Sequence, residues 1–535
     1  MTRPGATAET AGEQLVADLL APGMSLEETH VSRVFLGRDE VYKIKRPVDL
    51  GFLDFTTIER RRAACEAEVE LNRRLAPEVY LGVVPVSRGA DGRLRFGGGG
   101  EVVDWAVHMR RLRDADRADR RLEQGTLDRP GLERVAQVVA SFHAAARADE
   151  ETARFGTVEA IARNVDENFR QTRDRIHRYL DPAEAAEIER WQHDFLARNR
   201  DRFAARIAAG RVRDGHGDLR LEHVYLQQTA DGPRVTIIDC IEFNQRFRFA
   251  DVCADVAFLA MDLAWHRRVD LAEHFLARYA RAAQDFDLYP LAGFYESYRA
   301  YVRGKVAAML AADAAVSEAT RRRAAAEARR YFLLALACGR RPLLEPVVVA
   351  VGGVIASGKS TLAEALAETL SAPIVDSDRT RKHLLGVPPE QPVRDGAFAG
   401  GYAPEVSRGV YEEVLRRAAA VLDSGRPVIL DATFRSRRDR RAARRLAARY
   451  GVPFFFLECR APVAELRRRL VRRARQGGVS DGRLEILDDF LDRWQPVAGE
   501  LPPEEHLVID SGRPLADQLA RLGERLPAWP GGLTA

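Results

Sequence analysis

Lysine is nearly missing from this chain of 535 residues. Of its 83 basic residues only Lys43, Lys45, Lys305, Lys359 and Lys382 are lysine. Arginine stands almost everywhere that a generic positive charge would serve, so a remaining lysine marks a candidate place for a compact ammonium on a thin stem. Lys43, Lys45 and Lys359 draw attention on this ground, and Lys305 and Lys382 are consistent with chance. Cysteine is scarce too: Cys65, Cys240, Cys253, Cys338 and Cys459 are scattered, odd in number and form no C-x-x-C pair. That argues against a disulfide framework or a zinc site and for a reduced, cytoplasmic protein. No apolar run approaches a membrane span, and Met1–Gln14 lacks the apolar core of a signal peptide. Neither sign of charge dominates. A net charge of +4 gives no reason to expect nucleic acid or a membrane as partner.

The most specific stretch is Gly353-Val354-Ile355-Ala356-Ser357-Gly358-Lys359-Ser360. It follows the apolar run Val347–Val351 and leads into Thr361–Leu370, which has helical periodicity. Strand, G-x-x-x-x-G-K-S, helix is the context a P-loop requires. Its glycines let backbone N–H groups, including those of Ala356, Ser357 and Thr361, face phosphates at a helix N-terminus. Lys359 would bridge the β- and γ-phosphates of ATP, and the Ser360 hydroxyl would hold Mg²⁺.

The length implies two or three domains. Residues 1–24 are expected to be disordered or peripheral, residues 25–342 to form one domain and residues 343–535 another. In the first domain, short strands at Val31–Leu36 and Val41–Lys45 precede a charged helix, Thr57–Leu75, holding Glu66 and Glu68. Alternation puts Val41, Lys43 and Lys45 on one strand face. Two more strands, around Leu81–Ser87 and Val102–Met109, lead into a mainly helical region. Strand lysine, helix glutamate, strand and helical lobe is the order of parts in kinase-like folds.

Further on, His216-Gly217-Asp218-Leu219 is followed by a strand-like Val235–Ile238, then Asp239, Asp251 and Asp255. With these residues the region resembles the aminoglycoside phosphotransferase family, over roughly Ser25–Arg340. The resemblance implies a protein-kinase-like α+β fold with Asp218 as the base for an acceptor hydroxyl. Asp239 is then the magnesium ligand, and Lys43 and Glu68 are the phosphate lysine and its partner, with Lys45 and Glu66 as alternatives. Asp251 and Asp255 are structural, and His216 braces the loop. Two departures stand out. His223 occupies the place of the family's metal-binding asparagine, with Glu222 or Glu242 as possible oxygen donors, and no glycine loop precedes Lys43.

After the P-loop helix, Pro373–Asp376 reads as a strand running into Asp376-Ser377-Asp378, with Arg379, Arg381 and Lys382 beyond. Ligands of open parallel sheets sit at the carboxyl ends of strands. Asp378 is therefore a candidate to align an acceptor hydroxyl, or else a helix cap, and Arg381 a candidate to grip an anionic part of the substrate. Pro427–Leu430 ends at Asp431, the Walker B arrangement for magnesium. Two more strands, Phe454–Glu458 and His506–Ile509, complete an α/β parallel sheet. Arg469 and Arg473, one turn apart on an arginine-rich helix, are candidates to neutralise transferring charge. This half, roughly Pro346–Pro530, resembles the small P-loop kinases, the group of gluconate kinase, polynucleotide kinase and zeta-toxin-like phosphotransferases.

The whole chain is thus similar to bacterial fusions of an aminoglycoside-phosphotransferase-like lobe with an AAA-type P-loop domain. The resemblance implies an ATP- and magnesium-dependent phosphotransferase with two nucleotide sites and a small-molecule hydroxyl acceptor. Its alternative is a P-loop kinase regulated by an altered, ligand-sensing lobe. Acceptor identity and oligomeric state leave no mark in the sequence.

Overall fold

The computed structural model describes residues 13–526, apart from 50, 52, 315, 341–344, 394, 477 and 478. The expected disorder of residues 1–12 and the boundary at 342/343 therefore lie outside the described residues. By internal contact the chain divides into two compact units. One comprises residues 1–161 and 200–259, the other residues 162–199 and 260–535. Residues 260–340 thus group with the P-loop sheet, on a division drawn elsewhere than at residue 342.

The first unit holds a six-stranded antiparallel sheet. Its strands are β1 (Ser25–Glu28), β2 (Ser32–Leu36), β3 (Glu40–Lys45), β4 (Tyr80–Arg88), β5 (Leu94–Phe96) and β6 (Glu101–Arg110), in the order β1-β2-β3-β6-β4-β5. Each face covers a separate apolar cluster, as period two dictates. Val41 on β3 packs with Cys65, Val69, Tyr80 and Val107, on the side of the helix Ile58–Asn72. Ile44 faces the other way, onto Phe35, Val86 and Leu19. Leu19 belongs to a helix over residues 13–19, so part of the N-terminal stretch is packed secondary structure. Thr57 caps the Ile58–Asn72 helix, accepting a hydrogen bond from the Arg60 amide. Two small antiparallel pairs complete the strands of this unit: β7 (Val212–Asp214) with β10 (Phe249–Asp251), and β8 (Val224–Thr229) with β9 (Gly232–Ile237).

The second unit is built on five parallel strands, β11 (Val348–Gly352), β12 (Ile374–Asp376), β13 (Val428–Asp431), β14 (Phe454–Arg460) and β15 (His506–Asp510). Their order is β12-β13-β11-β14-β15. The β11 strand is central and buried throughout, which explains its uninterrupted apolar run. The register sets Asp376 beside Asp431, and Val351 beside Asp431, at the strands' carboxyl ends. The same unit carries two long antiparallel-capable helices, Tyr289–Ala312 and Glu318–Arg340, packed on each other. The fold is therefore a kinase-like α+β region followed by an α/β P-loop domain.

Candidate functional site

In the second unit, the chain leaves β11 through Gly353 (φ 141°), turns at Ala356 (φ 61°) and enters the helix Lys359–Leu370 from Gly358 (φ 92°). Glycine is required at the first position for space as well as conformation. A Cβ on Gly353 would lie 2.5 Å from the Cys459 carbonyl oxygen and 2.6 Å from the Ser357 hydroxyl. These are the turns of a phosphate cradle. Lys359 Nζ donates to the Val354 carbonyl at 3.1 Å and so lies back along its own loop.

Around this loop is a cavity of about 580 Å³. Its lining brings together Ala356, Gly358, Lys359, Ser360, Thr361, Asp378, Asp431 and Arg473 from the sequence-predicted residues. Gly353 and Ser357 are buried behind the loop. Asp431 is buried, and burial lifts its carboxyl to about 6 against the pull of Lys359 and a hydrogen bond from Ser360. Burial, then the neighbouring Asp376, raises Asp378 as well. Carboxylates crowded this way favour a cation in their midst. The donor set suits Mg²⁺: a hydroxyl and a carboxylate beside a phosphate cradle, all oxygen. Among the described residues no three His, Cys, Asp or Glu side chains are arranged to hold a metal by themselves. Phosphate and water oxygens would therefore complete the shell.

Three details separate neighbours that the sequence leaves equivalent. Asp376, not Asp378, caps the helix Ser377–Leu384, accepting from the Arg379 amide at 2.7 Å, so Asp378 is released from that role. The two arginines of the Val463–Gln476 helix part company. Arg473 lines the cavity, whereas Arg469 donates to the Ala356 carbonyl (3.3 Å), Ser511 Oγ (3.0 Å) and the Ser511 carbonyl (2.8 Å). Arg469 therefore braces the loop, because its fork is occupied by fixed oxygens. Arg381, expected to grip substrate, is buried, donates to the Gly401 carbonyl at 2.6 Å and lies over Tyr402.

Sequence reasoning passed over Arg281. It sits on the helix Val269–Ala283, lines the cavity, and pairs with Glu364 and with Asp376 (3.3 Å). Nothing in its local sequence marks it, because it lies far upstream of the P-loop. Lys382 was also undervalued. Fully buried, its ammonium donates to the carbonyls of Pro389 (2.9 Å) and Val479 (2.7 Å) and faces Asp481 at 3.4 Å. Three separate oxygens suit a point charge on a thin stem better than a planar fork.

The first unit brings together its own constellation. Lys43 Nζ donates to Glu68 (2.9 Å) and to Asp239 (2.8 Å). Burial opposes the ammonium charge, but Asp239 and Glu68 hold its pKa well above the usual lysine range. Lys45, the alternative, is also bound to Glu68, through the other oxygen, and to Glu242. Glu66 is exposed and pairs with Arg62. Asp239 adopts φ 67°, a conformation aspartate tolerates better than most residues. Asn72 locks this turn to the Ile58–Asn72 helix by accepting from the Cys240 amide at 2.8 Å.

Asp218 and Asp239 meet at His223, whose Nε2 is 3.5 Å from Asp239 and whose Nδ1 is 2.8 Å from the Asp218 carbonyl. A carbonyl only accepts, so Nδ1 carries the proton and Nε2 faces Asp239. Glu242 is taken by Lys45, and Glu222 is paired with Arg220. The Asp218 carboxylate is itself held by both arms of Arg220, at 3.1 and 3.0 Å. These residues do not fit a magnesium site. The position offers nitrogen, and the nearby carboxylates already have cationic partners. Asp255 accepts from the His216 and Gly217 amides (2.7 and 2.9 Å), and Asp251 is clamped by Arg206.

Two family models match the chain, and the first extends past the first unit into residues 162–199 and 260–295 of the second. Residues 51–295 match the phosphotransferase enzyme family, and residues 348–497 match an AAA domain family. Uncharacterized proteins of Mycobacterium tuberculosis and Mycobacterium bovis are each 36% identical over 468 residues, spanning 87% of this chain and 89% of theirs. Among solved structures, a gluconokinase from Sinorhizobium meliloti is 24% identical, covering 35% of this chain and 96% of its own (TM-score 0.25). A choline/ethanolamine kinase family protein from Mesorhizobium loti is 15% identical, covering 62% and 98% (TM-score 0.34). The chain belongs with these mycobacterial proteins to a family that joins a phosphotransferase-type domain to a P-loop, AAA-type domain.

Proposed function

We propose that the chain is an ATP-dependent phosphotransferase that works at the P-loop cavity and delivers phosphate to a hydroxyl of a small molecule. The reading is carried by one observation: Lys359, Ser360, Asp378 and Asp431 converge on a single cavity behind a glycine cradle. Bound MgATP would supply the transferable phosphoryl group and the metal's charge. The loop amides would orient its phosphates, and Lys359, now bonded to the Val354 carbonyl, would leave it to meet them. Ser360 and Asp431 would hold the metal. Asp378, its pKa raised by burial, accepts a hydrogen bond from the acceptor hydroxyl and takes up its proton. Arg473 faces the developing charge, and Arg469 keeps the loop in shape. A nucleic-acid or membrane-bound acceptor finds no support in the near-balanced charge.

A second reading concerns the first unit alone. Lys43 bonded to Asp239, and Asp218 bonded to Arg220, favour a ligand-sensing lobe that regulates the P-loop site over a second transferring site. The test is ATP-dependent mass gain in a metabolite pool, run with Lys359→Ala, Asp218→Ala and the double variant. Complete loss in Lys359→Ala supports one transferring site. Activity that survives until both are changed would overturn it in favour of two.

A further inference from the structure

Seven of the residues lining the P-loop cavity are arginines, and they are not equivalent. Arg281 and Arg381 are held as described above. Arg473 donates to Ser480 Oγ at 3.4 Å, and Arg438 lies 4.0 Å from Glu412. Among the described residues Arg381, Arg408, Arg435, Arg473 and Arg493 have no carboxylate within 4.0 Å, and of these Arg435 and Arg493 are set apart by sharing one aromatic ring. Both guanidinium groups lie over one ring, Phe398, at 4.4 and 4.0 Å from its centroid.

The protein holds these two like charges together. The Gln495 amide donates to the Arg435 carbonyl at 3.0 Å, and its side-chain oxygen accepts from the Arg437 amide at 2.7 Å. The segment carrying Arg493 is thereby pinned to the turn carrying Arg435. Phe398 is itself in the left-handed region (φ 59°), a conformation that costs a bulky residue about 1–2 kcal/mol per position. Its ring is fixed against Phe490, centroid to centroid 5.1 Å. Burial, then the proximity of Arg493, lowers the pKa of Arg435 below the ordinary arginine range. Two like charges held over one strained ring at the wall of a cavity are the marks of a site completed by an anionic ligand.

We infer that Arg435 and Arg493 form an anion subsite for the phosphate acceptor, which is therefore a hydroxyl compound bearing a phosphate, sulfate or carboxylate group. The inference rests on the phosphotransferase reading and narrows it to a substrate class. The Phe398 ring beneath the two arginines packs in one apolar cluster with Ile355 and Ala356 of the P-loop, so the nucleotide site must be filled before the subsite is probed. The charged and phenolic groups that act on Arg435 are Tyr411, Arg493 and Asp439, and Tyr411 in turn feels Arg381. Arg435, Arg493, Arg381, Tyr402 and Asp378 line one cavity, so an anion held by the pair lies in the same chamber as the aspartate proposed to orient the hydroxyl.

The experiment uses the full chain loaded with Mg²⁺ and a non-hydrolysable ATP analogue, so that the P-loop is filled. Inorganic sulfate is then titrated calorimetrically. Binding of sulfate to the loaded protein, weakened about ten- to a hundredfold in Arg435→Gln/Arg493→Gln and partly restored in Arg435→Lys/Arg493→Lys, is expected. No sulfate binding, or binding equal in the double glutamine variant, overturns the inference. An adventitious ion only is the outcome if sulfate binds but D-glucose 6-phosphate and D-gluconate bind no better than D-glucose and D-glucitol, and this too overturns it. Analogue binding is measured in the same samples. Its loss from the unaltered chain would refute the phosphotransferase reading itself, whereas its retention in the glutamine variant, with sulfate lost, isolates the subsite.

Discussion

The two lysine–aspartate constellations use the same kinds of residue in opposite electrostatic states. In the first unit each charge already has a counter-charge: Lys43 with Glu68 and Asp239, Lys45 with Glu68 and Glu242, Asp218 with Arg220. Burial would raise the Asp239 carboxyl, but Lys43 and His223 depress it below the usual range. In the P-loop unit, Lys359 rests on a neutral carbonyl and Asp431 is pushed up to about 6. One site is neutralised from within. The other is arranged so that nucleotide and metal bring the missing charges. A lysine beside an aspartate therefore says little about readiness to bind until the direction of the carboxylate's shift is known.

The comparison breaks most sharply on transfer itself. Lys359→Ala is expected to lower ATP-dependent phosphate transfer by about a thousandfold or more, while Asp218→Asn leaves it within about twofold. Radiolabelled transfer to a metabolite pool reads both. Equal losses in the two variants would abolish the distinction between the sites.

Next in size is the stability held in the first unit's charge cluster. Glu68 is fully buried between two lysines, and Lys45 is buried with it. Glu68→Gln leaves ammonium charge in the interior with half its compensation, and is expected to cost about 3–5 kcal/mol. Urea unfolding followed by circular dichroism measures it. A cost below about 1 kcal/mol would mean that the cluster is solvated and the first site is not closed from within.

The P-loop carboxylates sharpen the contrast through pH. Asp431 has a folded pKa of about 6 against 3.8 for the free side chain. Between those values the folded chain binds more protons than the unfolded one, so stability falls as pH rises through that window. The shift corresponds to something on the order of 2–3 kcal/mol. In the absence of nucleotide and metal, Asp431→Asn should flatten the dependence of Tm on pH between about 4 and 6. Parallel curves for the two proteins would show that Asp431 is not the group responsible. Mg²⁺ competes with the same proton, so metal–nucleotide affinity should weaken below about pH 6.

Much of this arrangement was legible in the chain, for identifiable reasons. Four of the five parallel strands announce themselves because strands buried on both faces are uninterrupted apolar runs, while the edge strand β15 alternates between buried and exposed positions; the P-loop does so because only glycine fits at Gly353. A strand lysine followed by a helix glutamate was legible from the order of parts, but period two put Lys43 and Lys45 on one face, and the choice of Lys43 with Glu68 came from the family resemblance. Roles that depend on which oxygen a guanidinium reaches were not. Arg381, Arg469 and Arg473 share a residue type and a general location, but only coordinates show that the first two are bound to fixed carbonyls and the third faces the cavity. Arg281 and the pairing of Arg435 with Arg493 join segments distant in sequence, where spacing carries no information. The helix over residues 13–19 was hidden because a single buried turn, anchored by Leu19, makes too short a pattern to stand out from polar surroundings.

The smallest expected effect bears on why the first site is closed. Two features oppose a metal–nucleotide complex there, the Arg220 fork on Asp218 and the imidazole of His223 beside Asp239. They act at different atoms, so removing one leaves the other. In a Lys359→Ala background, where fluorescent-nucleotide binding reports on the first unit, Arg220→Gln alone should change Mg²⁺-dependent affinity by less than about threefold. His223 would still present nitrogen where magnesium wants oxygen. Adding His223→Asn supplies an amide oxygen, and the pair should gain about tenfold, equivalent to roughly 1.4 kcal/mol. If the Lys359→Ala protein binds MgATP tightly with Arg220 and His223 intact, the site is open and the comparison fails. If the pair gains nothing, the barrier lies in the Lys43–Asp239 bond, and the closed state is held by the lysine itself.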